Sequence, residues 1–344
     1  MKEYLQKVTK GQDLSRKEAS NVMEIIMSMN AEHIQVAGLL SALRTKGESV
    51  EEITGFAEVM RKKAEQISPK ASFSVDTCGT GGDSLHTFNI STAVALVVAS
   101  GGVTVSKHGN RSVSSKSGSA DVFEKLGVNI TLTPLQVEQC MNEIGIGFMF
   151  APSFHQSMKF VAPVRKTLGV RTVFNILGPL TNPAGAKGQL LGVFDKETAE
   201  KMAKVLFNLG VKRAMVVHGL DGLDEITIQD DTLVYEIKDN EIKEYVLDPE
   251  QYDIRKRSLS DIQVENAEES RDMILEVLKG KTGAHRDIVL LNAAACFYIS
   301  EKVNSLSDGM MLAGDLIDSG KAMAKLNQMV SYTNEVTEKS SCIY

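Results

Sequence analysis

The chain has 344 residues, 43% hydrophobic and 24% charged, which excludes disordered and fibrous classes and leaves room for one large domain or two. Lysine and arginine total 38 against 44 acidic residues, a formal net charge of −6 that argues against a general nucleic-acid coat but not against a local basic site for a small anion. The four cysteines, Cys78, Cys140, Cys296 and Cys342, form no C-x-x-C pair, so zinc knuckles and thioredoxin-like centres lack support and a reducing, cytoplasmic compartment is expected.

Residues 1–70 predict helices only. Ser15-x-x-Glu18 and Ser49-x-x-Glu52 are capping-box patterns, and Ile34, Ala37, Leu40 and Leu43 recur at near-helical spacing between them. From about Phe73 the pattern changes to short apolar runs alternating with helical stretches. Strands are expected at Phe73–Val75, Val103–Val105, Val128–Ile130, Phe148–Phe150, Leu190–Phe194 and Arg213–His218. Helices are expected between them, one near Gly118–Leu126, one starting at Thr133-Pro134, and one over Lys196–Leu209 capped by Asp195. Such alternation predicts an α/β fold with a central, mainly parallel sheet flanked by helices. His155–Pro183 carries no strand pattern and is assigned with the N-terminal helices. Thr232–Leu247 alternates polar and apolar residues about Lys238-Asp239-Asn240-Glu241 and predicts an antiparallel hairpin. The tail from about Glu265 is helical. Its most apolar run, Ile288–Ile299, is interrupted by Asn292 and too short to span a bilayer.

Four segments carry chemistry. Asp76-Thr77-Cys78-Gly79-Thr80-Gly81-Gly82-Asp83 follows a strand and precedes a helix beginning near Asn89-Ile90-Ser91-Thr92. Glycines let backbone N–H groups approach an anion, and a helix start adds free donors, so this is a phosphate cradle or a tight turn without ligand. It is neither G-x-G-x-x-G, because Ser84 stands at the last glycine, nor a Walker loop: Gly280-Lys281-Thr282 lacks the first glycine, replaced by Leu275. Lys107-His108-Gly109-Asn110-Arg111-Ser112-Val113-Ser114-Ser115, with Ser119, combines cations and neutral donors suited to a polyphosphate, or forms a solvated polar loop. Asp224-Glu225, beyond a strand end, suits a hard divalent cation or an acidic turn. Arg165 can clamp a carboxylate or pair on the surface.

In order and spacing these segments, with Phe174–Pro183, resemble the anthranilate phosphoribosyltransferase family over most of the chain. The resemblance implies a small discontinuous all-helical domain, residues 1–70 with about 153–185, and a larger α/β domain, 71–152 with 186–344. It implies transfer of the phosphoribosyl group of 5-phosphoribosyl 1-pyrophosphate (PRPP) to anthranilate, with Mg²⁺ as cofactor, in a homodimer that binds neither nucleic acid nor membrane. Gly79, Gly82, Asp83, Thr87, Asn89, Ile90, Ser91, Thr92, the Lys107–Ser115 loop and Ser119 would then contact PRPP. Gly79, Asn110 and Arg165 would meet anthranilate, and Ser91, Asp224 and Glu225 would hold the metal. Lys107, His108 and Arg165 are the residues expected to act in catalysis. The chain contains no tryptophan, which fits an enzyme made when tryptophan is scarce. A pyrimidine nucleoside phosphorylase, which shares the fold, would differ at Lys107–Arg111 and lack the Asp224-Glu225 pair.

Overall fold

The computed structural model describes residues 1–112 and 116–341. Helices α1 (Lys2–Thr9), α2 (Arg16–Met27), α3 (His33–Lys46) and α4 (Val50–Lys63) form the N-terminal bundle. Both predicted capping boxes are present: the Ser15 and Ser49 hydroxyls accept from the N–H groups of Glu18 and Glu52, whose carboxylates accept in return. The bundle closes on Val22, Ile26, Leu40, Leu43, Ile53 and Phe56, each almost wholly buried.

The remainder begins with β1 (Val75–Asp76), α5 (Ile90–Ser100), β2 (Val105–Gly109), α6 (Ser119–Lys125), α7 (Pro134–Ile144) and β3 (Ile146–Phe150). Three helices follow without an intervening strand: α8 (Ala151–Phe154), α9 (Met158–Leu168) and α10 (Phe174–Leu177). Next come β4 (Gly188–Gly192), α11 (Lys196–Asn208), β5 (Arg213–Gly219), β6 (Thr232–Lys238) and β7 (Glu241–Leu247). The chain then runs through α12 (Ala267–Leu278), α13 (Ala284–Ile299), α14 (Leu306–Asp318) and α15 (Lys321–Ser341).

The seven strands form one sheet in the order β3-β2-β1-β4-β5-β6-β7. Strands β1 to β5 are parallel, and β6 and β7 pair antiparallel at one edge, joined by the predicted turn. Asp239 and Asn240 both take positive φ there, the conformation a two-residue hairpin turn requires. One face is covered by α5 and the C-terminal helices, around Val94, Leu96, Ile288, Leu291 and Phe297. The other face carries α11, and its core runs on into the N-terminal bundle. Helix α9 packs on α2 and α3, and α10 on α4. The strandless stretch after β3 thus lies against the bundle.

The strand order reverses at β1, whose successors in sequence lie on one side and β4 on the other. Open α/β sheets bind ligands at the carboxyl ends of strands at such a switch point, and the glycine-rich segment leaves β1 there. Four strand expectations are corrected, the one at Leu190–Phe194 because β4 runs Gly188–Gly192. The first strand is Val75–Asp76 rather than Phe73–Val75, and the second runs Val105–Gly109 rather than Val103–Val105. Val128–Ile130 is not a strand: Val128 and Ile130 are buried in the core, while the Asn129 N–H donates to the Thr333 hydroxyl at 3.1 Å. A side chain of α15 takes the place of a sheet neighbour.

Candidate active site

Extending β2 to Gly109 moves Lys107 and His108 from a solvent loop onto a buried strand. Each residue of β2 faces one of β3, Lys107 opposite Phe148 and His108 opposite Met149. Lys107 is 1% exposed, and its ammonium donates to the Thr77 hydroxyl at 3.1 Å and to the Ser91 hydroxyl at 3.0 Å. It therefore joins the segment after β1 to the first turn of α5. Burial pulls its pKa down, and the neighbouring acidic groups of Cys78, Asp76 and Glu225 oppose that pull.

The glycine-rich segment is packed where it leaves the sheet and open at its tip. A Cβ on Gly79 would lie 3.2 Å from the Asp224 carboxylate, and the Thr80 N–H donates to the Gly192 carbonyl at 2.9 Å. Gly81 and Gly82 take φ of +64° and +86°, a region L-residues rarely adopt. Arg171 donates to the Gly82 carbonyl and stacks on the Phe194 ring, with its guanidinium carbon 4.3 Å from the centroid. Sequence reasoning gave Arg171 no role; its nearness to Arg165 along the chain was the only signal.

Asp224 and Glu225 follow β5 and face this segment. Both can be reached by solvent, yet protein atoms crowd round them. Burial first, then the charges of Asp83 and Glu225, holds the Asp224 carboxyl well above the usual carboxylate range. Burial likewise pushes Glu225 up to about 8, against the opposing pull of Lys107 and of the Ser91 N–H. Asp83 thus belongs with the acidic pair as well as with the loop. Asn292, the polar break in the apolar run of α13, accepts from the Ile226 N–H at 3.0 Å and donates to the Ile226 carbonyl at 2.9 Å. It fixes the backbone one residue past Glu225, and a lone asparagine inside an apolar helix was its sequence signal.

Among the described residues, no three carboxylate, imidazole or thiol groups converge closely enough to chelate an ion unaided. The carboxylates nonetheless fit Mg²⁺, which takes one or two carboxylates and completes its shell with water and substrate phosphates.

Asn89, just before α5, makes no side-chain cap to the helix N–H groups; its carboxamide oxygen accepts from the Thr92 hydroxyl. Ile90 and Thr92 are buried beneath the loop, and Thr87 bridges to Gln263. Gly109 abuts Ser119, the first residue of α6, so closely that a Cβ would collide with the hydroxyl. Asn110 is exposed, its oxygen accepting from the Arg111 N–H at 2.8 Å. Arg111 turns away to α6, 3.0 Å from Asp121 and 2.6 Å from Glu124. The Ser112 N–H donates to Asp121 at 3.0 Å. Val113, Ser114 and Ser115, and Cys342, lie outside the described residues.

Arg165 lies on α9, half-buried, with its guanidinium 5.6 Å from the Phe174 ring and no acidic partner among the described residues. Burial lowers its pKa. His108 faces His155 with ring centroids 5.2 Å apart. Burial, then the other ring, pushes His108 down to about 3, and burial pushes His155 down to about 4, so both rings are neutral at pH 7. Among the described residues, both nitrogens of His108 and Nε2 of His155 lack well-formed hydrogen bonds. His155 was missed because nothing along the chain links it to His108.

Residues 2–64 match the glycosyl transferase family, helical bundle domain, and residues 72–323 match the glycosyl transferase family, a/b domain. The anthranilate phosphoribosyltransferase of Acetivibrio thermocellus is 54% identical over 334 residues, 97% of each chain. That of Alkaliphilus metalliredigens is 55% identical over 336 residues, 98% of this chain and 99% of its own. Among solved structures, the Thermus thermophilus anthranilate phosphoribosyltransferase superposes with a TM-score of 0.91 at 41% identity, covering 96% of this chain and 99% of that one. The Saccharomyces cerevisiae enzyme in complex with PRPP and Mg superposes with a TM-score of 0.89 at 29% identity, over 97% of both chains.

Proposed function

The chain belongs to the anthranilate phosphoribosyltransferase family, and we infer from that membership and from the site geometry how its residues divide the work. It transfers the phosphoribosyl group of PRPP to the amine of anthranilate, giving N-(5-phosphoribosyl)anthranilate and pyrophosphate, a step of tryptophan biosynthesis.

The observation that carries the residue assignment is the placement of Lys107: a buried ammonium strung between Thr77 and Ser91, facing Glu225, at the switch point of the sheet. PRPP lies with its pyrophosphate over the Gly79–Asp83 turn and the start of α5, where backbone donors and the helix dipole favour an anion. Gly79, Gly82, Asp83, Thr87, Asn89, Ile90, Ser91 and Thr92, the end of β2 from Lys107, Asn110–Ser112 and Ser119 line it. Ser91, Asp224 and Glu225 hold Mg²⁺, which supplies positive charge to the departing pyrophosphate. During the reaction the bond from ribose C1 to pyrophosphate oxygen breaks as the anthranilate nitrogen bonds to C1. Lys107 stabilises the charge that the leaving group gains. The amine is neutral and attacks without prior deprotonation; its proton leaves after the new bond forms.

Anthranilate enters from the helical side. Arg165, half-buried and free of any acidic partner among the described residues, pairs with its carboxylate, while Asn110 and the Gly79 turn bound the ring. The neutral imidazoles of His108 and His155 present uncharged walls to an aromatic acid. Catalysis then rests on placement and electrostatics rather than on a strong general base.

The division into residues 1–70 with about 153–185 and 71–152 with 186–344 is supported by the packing of α9 and α10 on the N-terminal bundle. A homodimer is supported by the apolar side chains that bundle leaves uncovered. No helix among the described residues is long and apolar enough to cross a membrane, and the free thiols of Cys78, Cys140 and Cys296 support a cytoplasmic setting.

The residue assignment is tested by comparing Arg165→Gln with Asp224→Asn. Anthranilate fluorescence reports turnover, and the chain has no tryptophan to interfere. Arg165→Gln should raise the KM for anthranilate, with a loss of about 1–3 kcal/mol in kcat/KM, and leave the Mg²⁺ dependence alone. Asp224→Asn should shift the Mg²⁺ titration and spare the anthranilate KM. An unchanged anthranilate KM in the first variant, or an unchanged metal titration in the second, removes that residue from its role.

A further inference from the structure

Between α10 and β4 the chain runs through Gly178-Pro179-Leu180-Thr181-Asn182-Pro183, a segment without regular strand structure that is gripped from several sides. Arg61 of α4 donates to the Leu180 carbonyl at 2.6 Å, and Gln189 of β4 donates to the Pro179 carbonyl at 2.8 Å. The segment's own grip on the sheet is one side chain. Asn182, 5% exposed, donates from Nδ2 to Asp76 Oδ2 at 2.7 Å and to the Ser106 carbonyl at 2.8 Å. Its Oδ1 accepts from the Ala184 N–H at 2.9 Å, so the carboxamide has one orientation. Asp76 is fully buried and makes no ion pair among the described residues; its second oxygen accepts from the His108 N–H at 3.3 Å.

One amide therefore bolts together the end of β1, the stretch of β2 beneath Lys107 and His108, and the segment continuous with α10. Helix α10 begins at Phe174, the ring against which Arg165 rests. The carbonyls of Gly178 and Thr181 face the rings of His108 and His155, so the same segment borders both imidazoles. Buried polar groups held this completely fix one arrangement, and their loss frees several. We propose that Asn182 is a positioning residue: through Asp76 and Ser106 it sets the register between the strand that carries Lys107 and the helical insert that carries Arg165, and so the separation of the two substrates. The inference rests on the assignment of PRPP to Lys107 and anthranilate to Arg165.

A residue that sets separation should act on kcat rather than on the affinity of either substrate, since each half-site stays whole. Asn182→Leu should lower kcat about tenfold or more, the scale on which small misplacements act. Affinities for PRPP and anthranilate, measured separately by calorimetry, should stay within about threefold of wild type. Amide hydrogen exchange at His108 should quicken, because its acceptor is no longer held. Val205→Ala, a core change in α11 far from the site, should lower the melting temperature and leave kcat intact. If Asn182→Leu does not fold, the smaller Asn182→Ala, which also removes the donor to Asp76 and Ser106, carries the same comparison.

The proposal is overturned if kcat of the folded variant stays within about twofold of wild type, or if substrate affinity alone changes. It is equally overturned if Val205→Ala loses as much kcat at an equal loss of melting temperature. A kcat effect in Asn182→Leu beside an Arg165→Gln variant with normal anthranilate use keeps the clamp and unseats only the assignment of Arg165.

Discussion

His155 illustrates how a single residue gains meaning from a neighbour distant in sequence. His108 and His155 are 3% and 7% exposed and hold their imidazoles against each other without charge. A histidine whose folded pKa lies below its unfolded value of about 6.5 stabilises the fold fully above that value. That contribution disappears as pH falls through the folded value, about 4 for His155. For His155 alone the loss amounts to about 3 kcal/mol between pH 6.5 and pH 4, since each pH unit of that interval is worth about 1.4 kcal/mol. Urea unfolding at stepped pH should therefore show His155→Gln losing less stability than wild type over that interval; parallel curves would mean that His155 does not fold as a buried neutral ring. Lys107 makes the same point with a cationic side chain. In sequence it is a lysine in a polar run, and the fold makes it a buried ammonium that faces the acidic pair.

At the scale of the element, two capping boxes with the same sequence pattern do different jobs. Glu18 completes its box at the surface, where Lys7 lies 2.7 Å away. Glu52 is fully buried and accepts from the Leu14 N–H at 2.9 Å, the Ser49 N–H at 2.8 Å and the Lys46 ammonium at 2.8 Å. It ties the loop before α2, the end of α3 and the start of α4 into one corner. Ser49→Ala should cost about 1 kcal/mol, the usual value of a lost cap. Glu52→Ala should cost more, about 1–3 kcal/mol for each of the Leu14 and Ser49 N–H groups left without an acceptor, while Lys46 keeps the Asp13 carboxylate and the Gly47 carbonyl. Equal effects of the two changes in chemical denaturation would contradict this. The hairpin of β6 and β7 was legible because Asp239-Asn240 is turn chemistry that acts within a few residues. Val128–Ile130 was misread because β-branched residues suit both a strand and a buried irregular segment, and only α15 decides which.

Across the whole molecule, the bundle leaves Ile34 of α3 81% exposed, next in sequence to His33, whose ring centroid lies 4.6 Å from that of Phe160 on α9. The homodimer proposed above would bury Ile34 against a second copy of the chain. Ile34→Asp should then yield monomers by light scattering without loss of helix content; a wild-type monomer, or a variant that still dimerises, would refute it. The sequence by itself determined the α/β class, the helical opening, the caps, the hairpin and the motifs of the glycine-rich turn, the Lys107–Arg111 run and the acidic pair. Those features rest on interactions between residues close along the chain, or on motifs whose spacing is preserved in the chain itself. The tertiary structure decided which polar groups face one another: Asp83 beside Asp224, Lys107 between Thr77 and Ser91, Arg111 turned to Glu124, and His108 against His155. It also decided that Asn182 would meet Asp76 and that Asn292, a lone polar residue in an apolar run, would meet the backbone of Ile226. Such contacts depend on which strands lie side by side in the sheet, and strand order is fixed by the packing of helices on its two faces rather than by any local pattern.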